Sequence, residues 1–195
     1  MSEKNAVNVY YVVNGITFYR LLVAPFLIFL VFTDRMDLFK WLLAVSFFTD
    51  LIDGYLARLY KVTSVLGSRL DSVADDLTIV AALTGLFVFK IEFILGEKVI
   101  VVGLLVLYLF QNIYALARYH KISSFHTYSA KAAALLQGFF LILIFLLPDP
   151  IYILFYAACL VTAIDLIEEI ILVFILPEWK TDVKGLYWVL KRKNN

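Results

Sequence analysis

The chain has 195 residues, of which 63% are apolar, with a mean hydropathy of +0.90 and a formal net charge of +1. Soluble domains hold about 45–50% apolar residues, so this composition excludes a soluble globular enzyme and a disordered chain. Cys159 is the only cysteine, which excludes an intrachain disulfide. The near-neutral charge gives no indication of nucleic-acid binding. A spanning helix needs about 20 apolar residues, so the chain has room for up to about six spans.

Long apolar runs, separated by charged residues, Gly or Pro, predict an all-α polytopic membrane protein with six transmembrane helices. In chain order, these helices are predicted over residues 14–32, 38–59, 68–89, 98–117, 128–147 and 151–176. Asn14 is a candidate N-cap for the first helix, and Pro25 is expected to kink it. Strands are not expected, because the apolar runs are long and do not alternate with period two.

Both termini are predicted to be interfacial within a single membrane domain, 1–195, whose six-helix bundle covers 14–176. Residues 1–13 form the N-terminal interfacial segment. In the tail, 177–195, an apolar face is expected from Trp179, Val183, Leu186, Tyr187 and Leu190, with Lys180, Lys184, Lys191, Arg192 and Lys193 around it. This pattern is typical of a short amphipathic helix on anionic lipid, and a solvated tail is the alternative.

The distribution of Lys and Arg predicts the orientation, because basic residues concentrate on the cytoplasmic side. With six spans, 13 of the 17 basic residues fall on the side of the two termini. These are Lys4, Arg20, Arg58, Lys61, Arg69, Arg118, Lys121, Lys131, Lys180, Lys184, Lys191, Arg192 and Lys193. The sequence therefore predicts cytoplasmic termini in a bacterial-type cell membrane.

Four aspartates are paired on two consecutive predicted helices. Asp50 and Asp53 are three residues apart, and Asp71 and Asp75 are four apart, so each pair shares one helix face. An antiparallel hairpin would bring both pairs to the same cytoplasmic depth. Four converging carboxylates repel one another unless a cation binds, and oxygen ligands suit Mg²⁺, Mn²⁺ or Ca²⁺. Such a set can hold two ions about 3.5–4 Å apart, which suits attack at phosphorus.

Small residues and a cation lie between the two aspartate pairs. Gly54 and Ala57 allow a substrate to approach the backbone closely, as does Gly67. Arg58 can neutralise a phosphate oxygen. This combination in one hairpin suits a nucleotide diphosphate.

The order and spacing of these residues resemble the signature of the CDP-alcohol phosphotransferase (CDP-alcohol phosphatidyltransferase) family. All fixed positions match, in the pattern Asp50-x2-Asp53-Gly54-x2-Ala57-Arg58-x8-Gly67-x3-Asp71-x3-Asp75. A weaker similarity covers Asn14, Thr17 and Arg20 in the first helix. Six spans and a cytoplasmic site are also features of this family.

The resemblance implies transfer of a substituted phosphate from a CDP-linked donor, CDP-diacylglycerol, to an alcohol, with release of CMP. It implies that Asp50, Asp53, Asp71 and Asp75 bind two divalent cations, Mg²⁺ or Mn²⁺, and that Asp75 is also the general base. Gly54, Ala57, Arg58 and Gly67 would line the nucleotide pocket. A homodimer in the lipid bilayer is expected on the same ground.

The sequence indicates the acceptor alcohol less clearly than it indicates the metal-binding and nucleotide-binding residues. Arg118 and Lys121 at the end of the fourth helix, with Lys131 in the fifth, could bind an anionic acceptor such as glycerol 3-phosphate. They could equally be positive-inside anchors. Ser72 and Asp76 stand where the family's phosphatidylglycerophosphate synthases commonly carry Pro and Lys. An inositol-phosphate or serine acceptor therefore stays open.

Three further acids, Asp165, Glu168 and Glu169, lie in the sixth predicted helix. Ionisable residues at membrane depth are candidates for function. Asp165 and Glu169 share a face, and the preferred interpretation is a buried structural pair with Arg20 or Lys131. A small ion or proton transporter is the alternative of a different class. It does not account for the glycines, alanine and arginine at fixed offsets from the aspartates.

Overall fold

A computed structural model gives the fold. It describes residues 3–60, 65–121, 125, 127–179 and 183–193. Within the helices, the side chains of 3–10, 54, 55, 57, 58, 65, 66, 68, 69, 192 and 193 lie outside that description. The described residues form helices only, which confirms the all-α prediction.

Eight helices follow one another along the described chain. They are α1 (Glu3–Phe32), α2 (Met36–Tyr60), α3 (Val65–Phe89), α4 (Ile91–Gly96), α5 (Lys98–Tyr119), α6 (Tyr128–Leu146), α7 (Tyr152–Ile175) and α8 (Leu186–Lys193). Six of them are long and coincide with the six predicted runs. The start of the first differs, because α1 begins at Glu3 and continues through Asn14 without a break. Asn14 therefore does not cap a helix.

Four helices have the length and composition of membrane spans: Tyr11–Phe32, Leu70–Phe89, Lys98–Tyr119 and Tyr128–Leu146. The six predicted spans are therefore not confirmed. In the remaining two long helices, α2 and α7, acids lie within the apolar stretch and not only near one end as in α3: Asp50 and Asp53 in α2, and Asp165, Glu168 and Glu169 in α7. These carboxylates interrupt the long apolar stretches of their helices and need partners to be tolerated at membrane depth.

Large apolar side chains cover the outside of the helices. Phe32, Val99 and Ile153 are each at least 75% exposed, and many Leu, Val and Phe residues are more than half exposed. Water-soluble proteins rarely expose apolar surface on this scale. The chain is an integral membrane protein, with these side chains directed to lipid.

The described chain divides into two compact units, residues 1–94 and 95–195. In the first unit, α1 packs along both α2 and α3, which contact each other much less. Leu27 and Leu43 are fully buried there, as is Phe39, whose ring lies 5.5 Å from that of Phe89. The two aspartate-bearing helices are therefore held together largely through α1.

The second unit is built on α7, which packs against α5, α6 and α8. One of its apolar clusters consists of Ala115, Phe125, Leu172, Val173 and Leu176. The tail packs onto this cluster through Val183, Leu186 and Val189. The predicted tail helix is therefore shorter than expected: α8 begins at Leu186, so Trp179 and Val183 precede it, and Leu186 faces the protein. Lys180 lies outside the described residues.

The acids of α7 are hydrogen-bonded to neutral groups of the second unit. Asp165 accepts from the hydroxyls of Thr127 and Ser129, both at 2.9 Å. Glu169 accepts from Gln111 Nε2 at 2.6 Å. Hydroxyl and amide donors from α5 and the start of α6 therefore bind these carboxylates, and the expected ion pairs with Arg20 or Lys131 stay a prediction. Such bonds hold helices together within a membrane.

Glu168 joins the tail to the body of the second unit. Its Oε1 accepts the backbone N–H of Leu186 at 2.6 Å, and its Oε2 accepts the hydroxyl of Ser129. The carboxylate thus caps the first turn of α8, where free N–H groups and the helix dipole favour a negative charge. A helix of eight residues is marginal alone, so this cap and the apolar packing of Leu186 stabilise it.

We expect Gly185→Ala to destabilise the tail. Gly185 has φ +146°, and a Cβ there would lie 2.9 Å from Glu168 Oε1 and 3.3 Å from the Trp188 ring. Strain of this kind costs about 1–3 kcal/mol, so the thermal unfolding midpoint in detergent should fall. Gly103→Ala is the matched control, because no atom lies within 4 Å of the position that its methyl group would take and helix propensity favours Ala by about 0.5–1 kcal/mol. A midpoint for Gly185→Ala at or above that of Gly103→Ala would contradict the expectation.

Candidate active site

Three of the four motif aspartates converge in the first unit. Asp50, Asp53 and Asp71 each offer a carboxylate oxygen within 4.8 Å of the others. Asp53 is only 2% exposed, whereas Asp50 and Asp71 are each 37% exposed. The geometry is that of a cage with one buried wall and an accessible side. The convergence expected from the spacing is observed for this carboxylate triad, Asp50–Asp53–Asp71.

Arg20 of α1 lies among these aspartates, and its side chain is 1% exposed. Nη1 donates to Asp50 Oδ1 at 2.6 Å and to Asp71 Oδ1 at 3.1 Å, and it lies 3.8 Å from Asp53 Oδ2. Nη2 donates to Asp75 Oδ1, which brings the fourth aspartate, 40% exposed, into the same network. One guanidinium therefore contacts all four carboxylates.

The role of Arg20 in this site is not predicted by the spacing of the aspartates. The sequence expectation was a two-helix hairpin, yet α1 packs along both helices of that hairpin and carries the cation to its centre. A signal was present, because Arg20 is the only Lys or Arg in the predicted first span. A buried arginine without a carboxylate partner would be very costly in lipid.

The donor set of the triad fits a hard divalent cation. Every ligand is a carboxylate oxygen, which suits Mg²⁺ or Mn²⁺ rather than metals that prefer nitrogen or sulfur. The triad, with Asp75 beside it, brings four carboxylates against one guanidinium, so the site retains a strong negative charge. These residues fit the metal binding implied by the sequence resemblance.

The predicted nucleotide-binding positions lie next to the aspartates along the chain. Gly67 is described and lies in the first turn of α3, four residues before Asp71. Gly54, Ala57 and Arg58 belong to the last turns of α2, but they lie outside the residues whose side chains are described.

The three acceptor candidates all lie in the second unit and have local partners there. Arg118 donates to the carbonyl of Leu176 at 3.4 Å, at the end of α7. Lys121 lies over the ring of Trp179, with Nζ 4.5 Å from its centroid. Lys131 is exposed, and its ammonium lies 5.6 Å from the Tyr128 ring. His120 ends α5 in a left-handed conformation with φ 53°. Arg118 and Lys121 are exposed as well, and the contacts of all three acceptor candidates are typical of helix-end anchors.

Comparisons with known proteins agree with the motif. A segment of 77 residues, 40% of this chain, is 38% identical to a cardiolipin synthase (CMP-forming)/mitochondrial hydrolase fusion protein of Schizosaccharomyces pombe, of which it covers 13%. A segment of 72 residues, 35% of this chain, is 38% identical to a CDP-diacylglycerol–glycerol-3-phosphate 3-phosphatidyltransferase of Haemophilus influenzae, of which it covers 38%. The matched segments thus span well under two thirds of these relatives. No solved structure matches the chain.

The family-level match is much longer than these segments. The sequence profile of the CDP-alcohol phosphatidyltransferases matches residues 10–172, which include most of α1 with Arg20, both aspartate-bearing helices α2 and α3, and most of α7. This match confirms the resemblance seen in the aspartate motif. The chain belongs to the CDP-alcohol phosphatidyltransferase family.

Proposed function

We propose that this protein is a divalent-metal-dependent membrane transferase of phospholipid biosynthesis. It moves the phosphatidyl group of CDP-diacylglycerol to an alcohol and releases CMP. The observation that carries the proposal is the convergence of Asp50, Asp53 and Asp71 within 4.8 Å inside a family match that covers residues 10–172. The exposed apolar flanks of the helices support a lipid-linked donor that enters from the bilayer.

Asp50, Asp53, Asp71 and Asp75 would hold two divalent cations, Mg²⁺ or Mn²⁺. When bound, such ions polarise the pyrophosphate and neutralise charge on the leaving group. Among the chain's own residues, Asp53 forms the buried wall of the cage and Asp50 and Asp71 form its accessible sides. Gly54, Ala57 and Gly67 leave space for the CDP moiety, and Arg58 binds one of its phosphate oxygens.

Asp75 is the proposed general base. Its carboxylate is 40% exposed, the most accessible of the four, and so can receive the proton of an acceptor hydroxyl. A base at the edge of the cage lies next to the phosphorus that the hydroxyl attacks, which is the positioning that such a transfer needs.

The proposed acceptor is glycerol 3-phosphate, with an inositol phosphate or serine as alternatives for the same chemistry. The relative from Haemophilus influenzae, whose name specifies glycerol 3-phosphate, supports the first choice. The relative from Schizosaccharomyces pombe, also 38% identical, is named a cardiolipin synthase, so identity alone does not select the acceptor. Arg118, Lys121 and Lys131 are the proposed contacts to an anionic acceptor.

We further propose six spans in one family domain, 1–195, with the termini and the active site cytoplasmic. The extent of the family match across both compact units supports the single domain. The excess of basic residues on the side of the termini supports the orientation. A homodimer is proposed from family membership.

Release of CMP tests the function. Purified protein in detergent, supplied with CDP-diacylglycerol and Mn²⁺ or Mg²⁺, should release CMP with one member of a panel containing glycerol 3-phosphate, an inositol phosphate, serine and phosphatidylglycerol. EDTA should stop the reaction. The proposal fails if no member of the panel yields CMP above the level without acceptor.

We expect Lys131→Ala to raise the KM for a phosphate-ester acceptor by about tenfold or more, because a charge-assisted contact is lost. The kcat should change little, since the residue binds the acceptor's phosphate and not the reacting hydroxyl. Lys98→Ala, at the opposite end of α5 from Arg118, is the control and should leave KM unchanged. An unaltered KM in Lys131→Ala would identify that lysine as an interfacial anchor only.

A further inference from the structure

Arg20 lies where its charge affects metal binding by the aspartates. Nη1 lies within 3.8 Å of an oxygen of each member of the triad, at 2.6 Å from Asp50, 3.8 Å from Asp53 and 3.1 Å from Asp71. A cation held by the triad would be bound by these same three carboxylates. The guanidinium therefore lies where a metal ion would bind. It is positively charged, as a metal ion is, and it contacts the carboxylates that would be the ligands.

We propose that Arg20 is a tethered cation that exchanges with divalent metal at the aspartate cage. This inference rests on the proposed function. In one state, Arg20 bridges the four carboxylates and prevents their mutual repulsion within the membrane. In the other, the aspartates would hold metal, and the guanidinium leaves the cage. Arg20 is in this sense a positioning residue, which acts on the reaction through the aspartates.

Competition follows from charge as well as from space. A guanidinium carries one positive charge and a metal ion two, and at contact distance within a protein like charges repel strongly. The same three carboxylates therefore cannot bind the guanidinium and a metal ion strongly at the same time. The four carboxylates, in contrast, lose the compensation of their charge if both cations are absent, which is costly at this depth.

The exchange also connects metal loading to the proposed base. Arg20 Nη2 donates to Asp75 Oδ1 while Nη1 occupies the triad, so one side chain engages the cage and the base together. Release of Arg20 by metal therefore frees Asp75 at the same time.

The test measures Mn²⁺ binding and thermal unfolding, neither of which depends on turnover. Arg20→Gln removes the competing charge, so free-Mn²⁺ titration by electron paramagnetic resonance should show binding at least about tenfold tighter than in the wild type. In EDTA, Arg20→Gln should unfold at a lower temperature than the wild type, and saturating Mn²⁺ should close most of that gap. Arg35→Gln, an exposed arginine in the same unit, is the matched control and should change neither quantity.

The outcomes separate the exchange from the function on which it rests. Weaker or unchanged Mn²⁺ binding in Arg20→Gln overturns the exchange, as does a stability gap that Mn²⁺ leaves in place. A variant recovered folded only in Mn²⁺ supports it, whereas one that cannot be recovered with or without Mn²⁺ overturns it. If neither the wild-type protein nor Asp71→Asn binds Mn²⁺, the proposed metal-dependent function is overturned, and the proposed exchange is overturned with it.

Discussion

Asp75→Asn should abolish CMP release while the protein still folds and the triad Asp50–Asp53–Asp71 still binds metal. The amide keeps the shape of the side chain and an oxygen that can accept from Arg20 Nη2, but it cannot take a proton from the acceptor hydroxyl. Loss of a general base lowers kcat by about 10²–10⁴-fold. The measurement is the initial rate of CMP release with the best acceptor, at saturating CDP-diacylglycerol and Mn²⁺.

Asp76 provides a matched control for this experiment. It is the next residue of α3 and is exposed, and it points about 100° away from Asp75 around the helix. Asp76→Asn removes the same charge at nearly the same depth, so its rate should stay within about twofold of the wild type. Near-normal turnover in Asp75→Asn would remove the proposed base, and equal losses in both variants would indicate a general charge effect.

Asp53→Asn should cause the second large loss, through metal binding. Asp53 is the buried wall of the cage at 2% exposure, so water cannot easily supply the ligand that the variant lacks. Loss of groups that merely orient metal ligands costs about 10–100-fold in affinity or activity, so a ligand in direct contact should cost at least about 100-fold. Raising the Mn²⁺ concentration should restore part of the rate, which distinguishes this variant from Asp75→Asn.

The control for Asp53→Asn lies on the same helix. Asp37, in the first turn of α2, pairs with Lys40 at 2.6 Å and is 94% exposed. Because an exposed ion pair contributes little, Asp37→Asn should leave both the rate and its Mn²⁺ dependence unchanged. A wild-type rate and Mn²⁺ dependence in Asp53→Asn would exclude Asp53 as a metal ligand.

The long helices and the aspartate motif could be derived from the sequence, because both depend on residues that are close together along the chain. Apolar runs about 20 residues long predict the long helices, although not their exact ends, because a helix in lipid forms all of its backbone hydrogen bonds internally. The spacing of Asp50, Asp53, Asp71 and Asp75 predicts shared helix faces for the same reason. The main local error was Asn14, since an apolar run marks where a span can begin, while a helix can continue beyond it, as α1 does from Glu3.

The partners of the buried charges could not be derived in this way, because they depend on which helices pack together. Asp165 and Glu169 could have paired with several cations, and the tertiary structure gives them hydroxyl and amide donors from Thr127, Ser129 and Gln111. Likewise, the four motif aspartates predict a cation at their centre without saying which. Local spacing indicated a carboxylate cage, and only the packing of α1 along α2 and α3 brought Arg20 into it.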